Sequence, residues 1–185
     1  MVKKASLSAR AGFMILVALM IGACSATRTQ ESAGEVIDDS ALTAKVKTAL
    51  IADPVTKAHE INVETYRGVV QLSGFVATPA EKSKATEVAR GVSGVKEVRN
   101  DLHVSSGGET AGQVVDDGVI TAEVKAKLIG DPTTKAYQIN VESQKGVVQL
   151  AGFVDSNEAK TRAGELARGV KGVTSVRNDL EIRQR

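Results

Sequence analysis

The stretch Gly68-Val69-Val70-Gln71-Leu72-Ser73-Gly74-Phe75-Val76 recurs almost unchanged as Gly146-Val147-Val148-Gln149-Leu150-Ala151-Gly152-Phe153-Val154. Each copy predicts a buried β-strand, because a turn glycine is followed by two β-branched residues and then by alternating apolar positions. In the first copy this alternation places Val70, Leu72 and Val76 on one face of the strand. The chain is therefore built from one small sheet module that is used twice.

The repeat extends far beyond this strand. An offset of 78 residues links Asp53 to Asp131 and Gly91 to Gly169. The two copies align without a gap, and about 40 of roughly 70 aligned positions are identical, which is far outside chance for a self-comparison. A period this long that occurs only twice indicates tandem domains. Aromatic residues make up 3% of the chain and tryptophan is absent, so we expect cores of Val, Ile, Leu and Ala.

The N-terminus has the pattern of a secretion signal. Residues 1–10 are basic, and residues 11–23 form an apolar run that is too short to span a bilayer but typical of a signal peptide. The run ends in Leu19-Met20-Ile21-Gly22-Ala23-Cys24-Ser25, which resembles the bacterial lipobox. This resemblance implies that residues 1–23 are removed, that Cys24 is lipidated, and that Ser25 permits transport to the outer membrane. Residues 24–35 are predicted to be a polar tether.

The alternative is an ordinary secretory cleavage that discards Cys24 or leaves it as a lone thiol. Cys24 is the only cysteine of the sequence, which rules out an intramolecular disulfide. An unpaired exposed thiol is unusual in an oxidising compartment. This favours the lipoprotein interpretation.

The charge of the chain argues against nucleic acid as a partner. The formal net charge is +2, but Lys3, Lys4 and Arg10 lie in the predicted signal peptide. Without them, 21 basic residues face 22 acidic residues, a net charge of −1. A nearly neutral protein has no overall field that attracts phosphate polymers.

Each module begins with an acidic pair, Asp38-Asp39 or Asp116-Asp117, just before an amphipathic helix. We interpret these pairs as helix caps, because acidic side chains suit the amide end of a helix. A metal or acid–base site is the alternative, but no other His, Cys or acidic cluster accompanies them. The helix stripes that follow are Leu42, Val46, Ala49 and Leu50 in the first copy, and Ile120, Val124, Lys127 and Leu128 in the second.

The rest of the module predicts a hairpin, a second helix and a final strand. The hairpin turns at Arg67-Gly68, and the second helix begins with the capping sequence Thr78-Pro79-Ala80-Glu81. We therefore expect an α+β fold: two tandem domains, each α-β-β-α-β, with two helices packed on a three-stranded sheet. The predicted domains are residues 36–104 and 114–183, with a linker at 105–113. The glycines assigned structural roles are Gly74, Gly91, Gly94, Gly152, Gly169 and Gly172.

At this level the motifs resemble a known family. The glycine-bounded strand and the closing sequences Ala89-Arg90-Gly91-Val92 and Val98-Arg99-Asn100-Asp101-Leu102 are similar to those of the BON domain. With the lipobox, the chain resembles the envelope lipoproteins that carry two BON domains. This resemblance implies contact with phospholipid surfaces or envelope partners, and some members of the family act on misfolding periplasmic clients.

Nothing in the sequence predicts an enzyme. His59 and His103 are replaced by Tyr137 and Glu181 in the other copy, so neither histidine belongs to the shared module. A nucleophile paired with a base, a phosphate-binding glycine loop and a metal-ligand pattern are all lacking in the sequence. We predict no catalytic residues, no cofactor and no metal.

The first helix of the second module carries the best candidate for membrane contact. Lys125 and Lys127 flank the apolar Val124 and Leu128, an arrangement that suits a headgroup layer. The alternative is a solvated rim of a core helix, which is favoured because no aromatic anchor lies beside the lysines and nearby acidic residues dilute their charge. A similar patch in the first module comprises Lys45, Lys47 and Lys57.

Three functions remain open at this point. The first is a non-enzymatic, lipid-anchored protein that supports outer-membrane integrity, with anionic phospholipid as a partner. The second is a soluble periplasmic chaperone of osmotic stress. The third is an adaptor for other, unknown envelope proteins.

Overall fold

The computed structural model describes residues 33–56, 61–105, 110–135 and 137–183, and gives no side-chain description for residues 33–37 and 115. The first domain contains α1 (Ala33–Ala52), β1 (Ile61–Tyr66), β2 (Val69–Val76), α2 (Pro79–Arg90) and β3 (Glu97–Val104). The second contains α3 (Ala111–Gly130), β4 (Ile139–Gln144), β5 (Val147–Val154), α4 (Asn157–Arg168) and β6 (Ser175–Ile182). This confirms the predicted α+β fold and its element order. None of the helices in the described ranges is both long and apolar enough to span a bilayer.

Each domain has one three-stranded sheet with the glycine-containing strand in the centre. In the first sheet β1 pairs antiparallel with β2, and β3 pairs parallel with β2 on the other side. The second sheet repeats this arrangement in the order β4-β5-β6. The parallel pairing follows from the crossover through α2 or α4, since a parallel neighbour cannot be reached by a tight turn.

The helices of each domain pack on one face of its sheet and form a separate aliphatic core. Leu42, Val46 and Leu50 of α1 are buried against Val70 and Leu72 of β2. The second domain buries the equivalent side chains. The second helix of each domain adds two buried alanines to its core, Ala85 and Ala89 in α2 and Ala163 and Ala167 in α4. The predicted helix stripes are confirmed, except that Lys127 is exposed.

Both long helices begin earlier than the sequence interpretation placed them. α3 starts at Ala111, inside the predicted linker, and α1 starts at Ala33, inside the predicted tether. Thr110 is the N-cap of α3, and it forms a reciprocal capping box with Gln113. The prediction that the acidic pairs cap these helices is therefore wrong, because both pairs lie beyond the first helical turn.

The second aspartate of each pair anchors the hairpin turn instead. Asp39 is 8% exposed and accepts hydrogen bonds from the amides of Arg67 (2.5 Å) and Gly68 (2.9 Å). Asp117 accepts from the amides of Lys145 (2.6 Å) and Gly146 in the same way. The turn leaves these amides without strand partners, so a buried carboxylate on the facing helix satisfies them.

Only some of the predicted structural glycines use a backbone conformation that favours glycine. Gly91 ends α2 as predicted, but its φ of −72° is ordinary helical backbone, and Gly169 is similar at −80°. By contrast, Gly94 has a φ of 102° in the turn before β3. In the central strands Gly74 and Gly152 have φ values of 118° and 125°, where L side chains are strained.

Candidate lipid-contact surface and domain interface

The two sheets bury their second faces against each other. Residues of β2 that alternate with the core positions are also buried, and Gln71 and Ser73 are only 1% and 2% exposed. Gln149 of β5 is likewise 1% exposed. The described residues form one compact unit, in which the helices lie outside and the two sheets meet in the middle.

Two glutamines form the centre of this domain interface. The side-chain oxygen of Gln71 accepts a hydrogen bond from the amide of Gly152 at 2.8 Å, and that of Gln149 accepts from the amide of Gly74 at 2.7 Å. The Gln71 amide group donates to the Asp101 carboxylate at 2.7 Å and to the Asp179 carbonyl at 2.6 Å.

Gln149 repeats these bonds in reverse. Its amide group donates to the carbonyl of Asp101 at 2.7 Å and to the carboxylate of Asp179 at 2.8 Å. The interface is therefore pseudo-twofold, and each buried polar group of the two glutamines finds a partner. These bonds give the glycines of the central strands a role in the interface, because each donates its amide to the glutamine of the facing domain.

Polar pairs extend the symmetric arrangement outward. Asn62 donates to Glu142 at 3.0 Å, and Asn140 donates to Glu64 at 2.9 Å. These residues are identical in the two modules, so duplication of one sequence produces a surface that complements itself. Sequence reasoning missed the interface because these polar side chains alternate with core residues and look like a solvent-facing row.

The flanks of the interface depart from this symmetry. Nε2 of His103 lies 2.9 Å from Oδ2 of Asp179, while its counterpart Glu181 lies 3.7 Å from the guanidinium of Arg99. The ring of Phe75 lies 6.1 Å from that of His103. His103 thus takes part in domain packing.

The structure separates the four predicted membrane-contact residues. Val124 and Leu128 are 0% and 4% exposed in the core of the second domain, so they cannot offer an apolar edge to headgroups, and this part of the prediction is wrong. Lys127 is exposed and donates to the carbonyl of Gly169 at 2.7 Å, at the end of α4. Lys125 is exposed.

Another apolar side chain lies beside Lys125. Ile129 is 70% exposed, and it lines a shallow cavity of about 200 Å³ together with Lys125, Lys135 and Tyr137. We call these four residues the α3 surface. The sequence interpretation found no aromatic anchor near the lysines, but the turn after α3 brings Tyr137 to them. Ile129 was detectable, because isoleucine stands outside the buried stripe in both modules, as Ile51 and Ile129.

An acidic neighbour of the α3 surface is neutralised by an ion pair. Asp131 is 9% exposed, and its Oδ2 lies 2.9 Å from Nε of Arg162. Burial alone would raise the pKa of Asp131, but hydrogen bonds from the amide of Thr133 and from Arg162 lower it below the ordinary value of 3.8. Asp131 is therefore a charged but paired group, and it opposes an anionic surface less than the sequence suggested.

The first domain has a related but different surface. Lys45, Lys47 and Ile51 are exposed on α1, and Ile51 is 61% exposed. Lys57 and His59, which correspond to Lys135 and Tyr137, lie outside the described residues.

The described ranges contain no group of three or more His, Cys, Asp or Glu side chains that could hold a metal ion. The acidic pairs, which were the only candidates for such chemistry in the sequence, each give one carboxylate to a hairpin turn. The candidate functional features of the described residues are therefore the α3 surface and the surfaces at the domain interface.

Comparison with known proteins agrees with this architecture. The model of the BON domain matches residues 38–106 and 116–184, one match in each half of the chain. The chain belongs to the BON domain family.

Several bacterial proteins are similar to this chain over most of its length. This BON protein is 44% identical to osmotically-inducible protein Y of Escherichia coli over 81% of its own length and 75% of the relative's. It is 38% identical to the outer membrane lipoprotein DolP of Haemophilus influenzae, over 77% and 74% of the two chains. A 21 kDa hemolysin of Actinobacillus pleuropneumoniae is 35% identical, over 78% and 74%.

Proposed function

We propose that this protein is a non-enzymatic, lipid-anchored component of the bacterial envelope that supports the outer membrane and contacts anionic phospholipid through the α3 surface. Cys24 would hold the chain at the membrane, and the second domain would bind the lipid headgroups. Cys24 itself lies outside the described residues. The observation that carries the proposal is the α3 surface, where exposed Ile129 lies among Lys125, Lys135 and Tyr137.

The chemistry of this surface suits a headgroup layer. An exposed isoleucine adds apolar area, and a tyrosine places an apolar ring and a polar hydroxyl at the boundary where both are solvated. Each lysine close to an anionic membrane surface contributes about 1 kcal/mol. The ion pair of Asp131 with Arg162 limits the repulsion from the nearest buried carboxylate.

Replacing Cys24 by alanine is expected to abolish the lipid anchor. The wild-type protein should sediment with outer membranes, because several acyl chains each contribute about 0.8 kcal/mol per buried methylene. A variant in which residues 1–24 are replaced by an ordinary cleavable secretion leader should appear in the soluble periplasmic fraction. Immunoblots of separated membranes and periplasm measure both.

Cys24→Ala molecules that keep their apolar leader can stay at a membrane without a lipid anchor, and the leader-exchange variant controls for this. A wild-type protein that is soluble from the start contradicts the anchor. That result, together with suppression of client aggregation, would favour the alternative of a soluble periplasmic chaperone of osmotic stress, which the 44% identity to an osmotically-inducible protein motivates.

Replacing Ile129 by aspartate is expected to weaken binding to anionic vesicles about tenfold. Full insertion of an isoleucine side chain contributes about 1.5 to 3 kcal/mol, and only part of Ile129 is free to insert. The measurement is co-sedimentation of the unlipidated mature chain with vesicles of phosphatidylglycerol and phosphatidylcholine. Vesicles of phosphatidylcholine alone should retain little protein.

The matched control is Ile51→Asp, which makes the same change at the equivalent exposed position of the first domain. Its vesicle binding should stay within about twofold of wild type, because the proposed lipid contact lies in the second domain and a single exposed substitution has little effect on folding. Equal losses in both variants, or no loss in Ile129→Asp, would contradict the assignment of lipid contact to the α3 surface.

A further inference from the structure

A cleft of about 310 Å³ opens at one end of the domain interface. The hairpin end of the first sheet supplies Tyr66 and Arg99, and the far end of the second sheet supplies Phe153, Glu181 and Arg183. The rings of Tyr66 and Phe153 lie 5.4 Å apart and form an aromatic wall. The volume lies at the lower limit of sites that enclose small organic ligands.

Most residues that line the cleft differ in identity between the two modules. Six of the nine residues that line it differ from the residues 78 positions away, whereas the glutamines, glycines and aspartates at the centre of the interface are the same in both. The tyrosine corresponds to Gln144 and Arg183 to Ser105 at the opposite end. The centre of the interface is held by identical residues, so the changed end carries chemistry that these shared central contacts do not require.

Arg183 of the cleft has a donor that the described residues do not satisfy. Nε of Arg183 is buried and finds no hydrogen-bond partner among the described residues, although its terminal nitrogen lies 3.4 Å from Asp155. A buried donor without a partner calls for an explanation. The Arg183 guanidinium also lies 5.2 Å from the centre of the Tyr66 ring, which orients it along the aromatic wall.

The acidic residues of the cleft do not occupy all of the N–H donors of its arginines Arg99 and Arg183. Glu97 lies 2.9 Å from Nε of Arg99, and Glu181 lies 3.7 Å from another nitrogen of the same guanidinium. Both carboxylates thus face Arg99 and not Arg183. A guanidinium has five N–H donors, so Arg99 also has donors left for a bidentate partner.

We propose that this cleft binds a small organic anion, in which a carboxylate or phosphate meets Arg183 and Arg99 while an apolar body lies against Tyr66 and Phe153. Carboxylate and phosphate groups each present two oxygens that can accept a pair of parallel hydrogen bonds from a guanidinium group. The site lies between the domains and is separate from the α3 surface.

The test is a titration of the full chain in a non-ionic detergent, followed by amide chemical shifts of the cleft residues. The probes are phenyl phosphate and benzoate, with inorganic phosphate and benzyl alcohol representing the anionic group and the apolar body alone. At least one of the first two should bind saturably, and the two partial probes should bind at least tenfold more weakly. Whichever of phenyl phosphate and benzoate binds more tightly identifies the anionic group that the cleft prefers.

Variants place the binding in the cleft. Tyr66→Gln combined with Arg183→Ser gives this end the residues of the opposite end at two of the six differing positions and should weaken binding at least tenfold. Arg177→Ala removes the equivalent of Arg99 at the opposite end and should leave binding unchanged. Protection of the Gly74 and Gly152 amides from hydrogen exchange verifies that the domains stay packed in each variant. If the double variant loses this protection, the binding of the single variant Arg183→Ser is used in its place.

Three results would overturn the proposal. One is the lack of saturable binding by both phenyl phosphate and benzoate. Another is equal binding by wild type and Arg183→Ser with the interface intact. Inorganic phosphate that binds as tightly as phenyl phosphate would also contradict it, because the aromatic wall would then contribute nothing.

Discussion

Replacing Gln71 by methionine is expected to lower the free energy of unfolding by about 3 kcal/mol. The methionine side chain has a similar length but cannot accept the hydrogen bond from the amide of Gly152 or donate to the carbonyl of Asp179. Each buried polar group left without a partner costs about 1 to 3 kcal/mol. Urea denaturation measures the change, and hydrogen exchange at the Gly152 amide should accelerate with it.

The control for this variant is Gln138→Met, which makes the same change at an exposed position of the second domain. Its free energy of unfolding should stay within about 0.5 kcal/mol of wild type. If Gln71→Met is equally harmless, or if the Gly152 amide remains protected, the glutamine does not hold the two domains together.

Replacing Gly152 by alanine is expected to destabilise the protein by about 3 kcal/mol or more. A Cβ at this position would lie 2.6 Å from the backbone oxygen of Gln138, and the φ of 125° is strained for any L side chain. The neighbouring atom is main chain and cannot move aside without displacing β4. Thermal and urea unfolding should both show the loss.

The opposite result is expected for Gly118→Ala. Gly118 lies within α3, and a Cβ there would meet no atom within 4 Å. Alanine in an exposed helix interior is about 1 kcal/mol more favourable than glycine. If Gly118→Ala raises the free energy of unfolding while Gly152→Ala lowers it, the loss at Gly152 comes from the close approach of the backbone and not from a general effect of added methyl groups. Loss of stability in both variants would contradict this explanation.

The sequence was sufficient for the fold of each domain. The repeated strand motif, the turn at Arg67-Gly68 and the cap at Thr78 are local signals, and each predicts its element without tertiary information. The buried helix stripes followed from periodicity, and they already contained Val124 and Leu128. Assigning those two residues to lipid contradicted the stripe, because one side chain cannot face both the sheet and the membrane.

What the sequence did not reveal depends on contacts between distant segments. The bonds from Asp39 to the hairpin amides join residues 28 or 29 positions apart. The pairing of Gln71 with Gly152 joins residues 81 positions apart in different domains. Polar residues on alternate strand positions are typical of a solvent-facing sheet, and only the facing copy of the same surface turns them into an interface.

Mass spectrometry of the mature N-terminus, on protein isolated from its own membranes, tests the envelope anchor most directly. We expect a polypeptide that begins at Cys24, with a diacylglyceryl group on the thiol and an acyl chain on the amine. A mature chain that begins at any other residue, or that carries an unmodified Cys24, would contradict it.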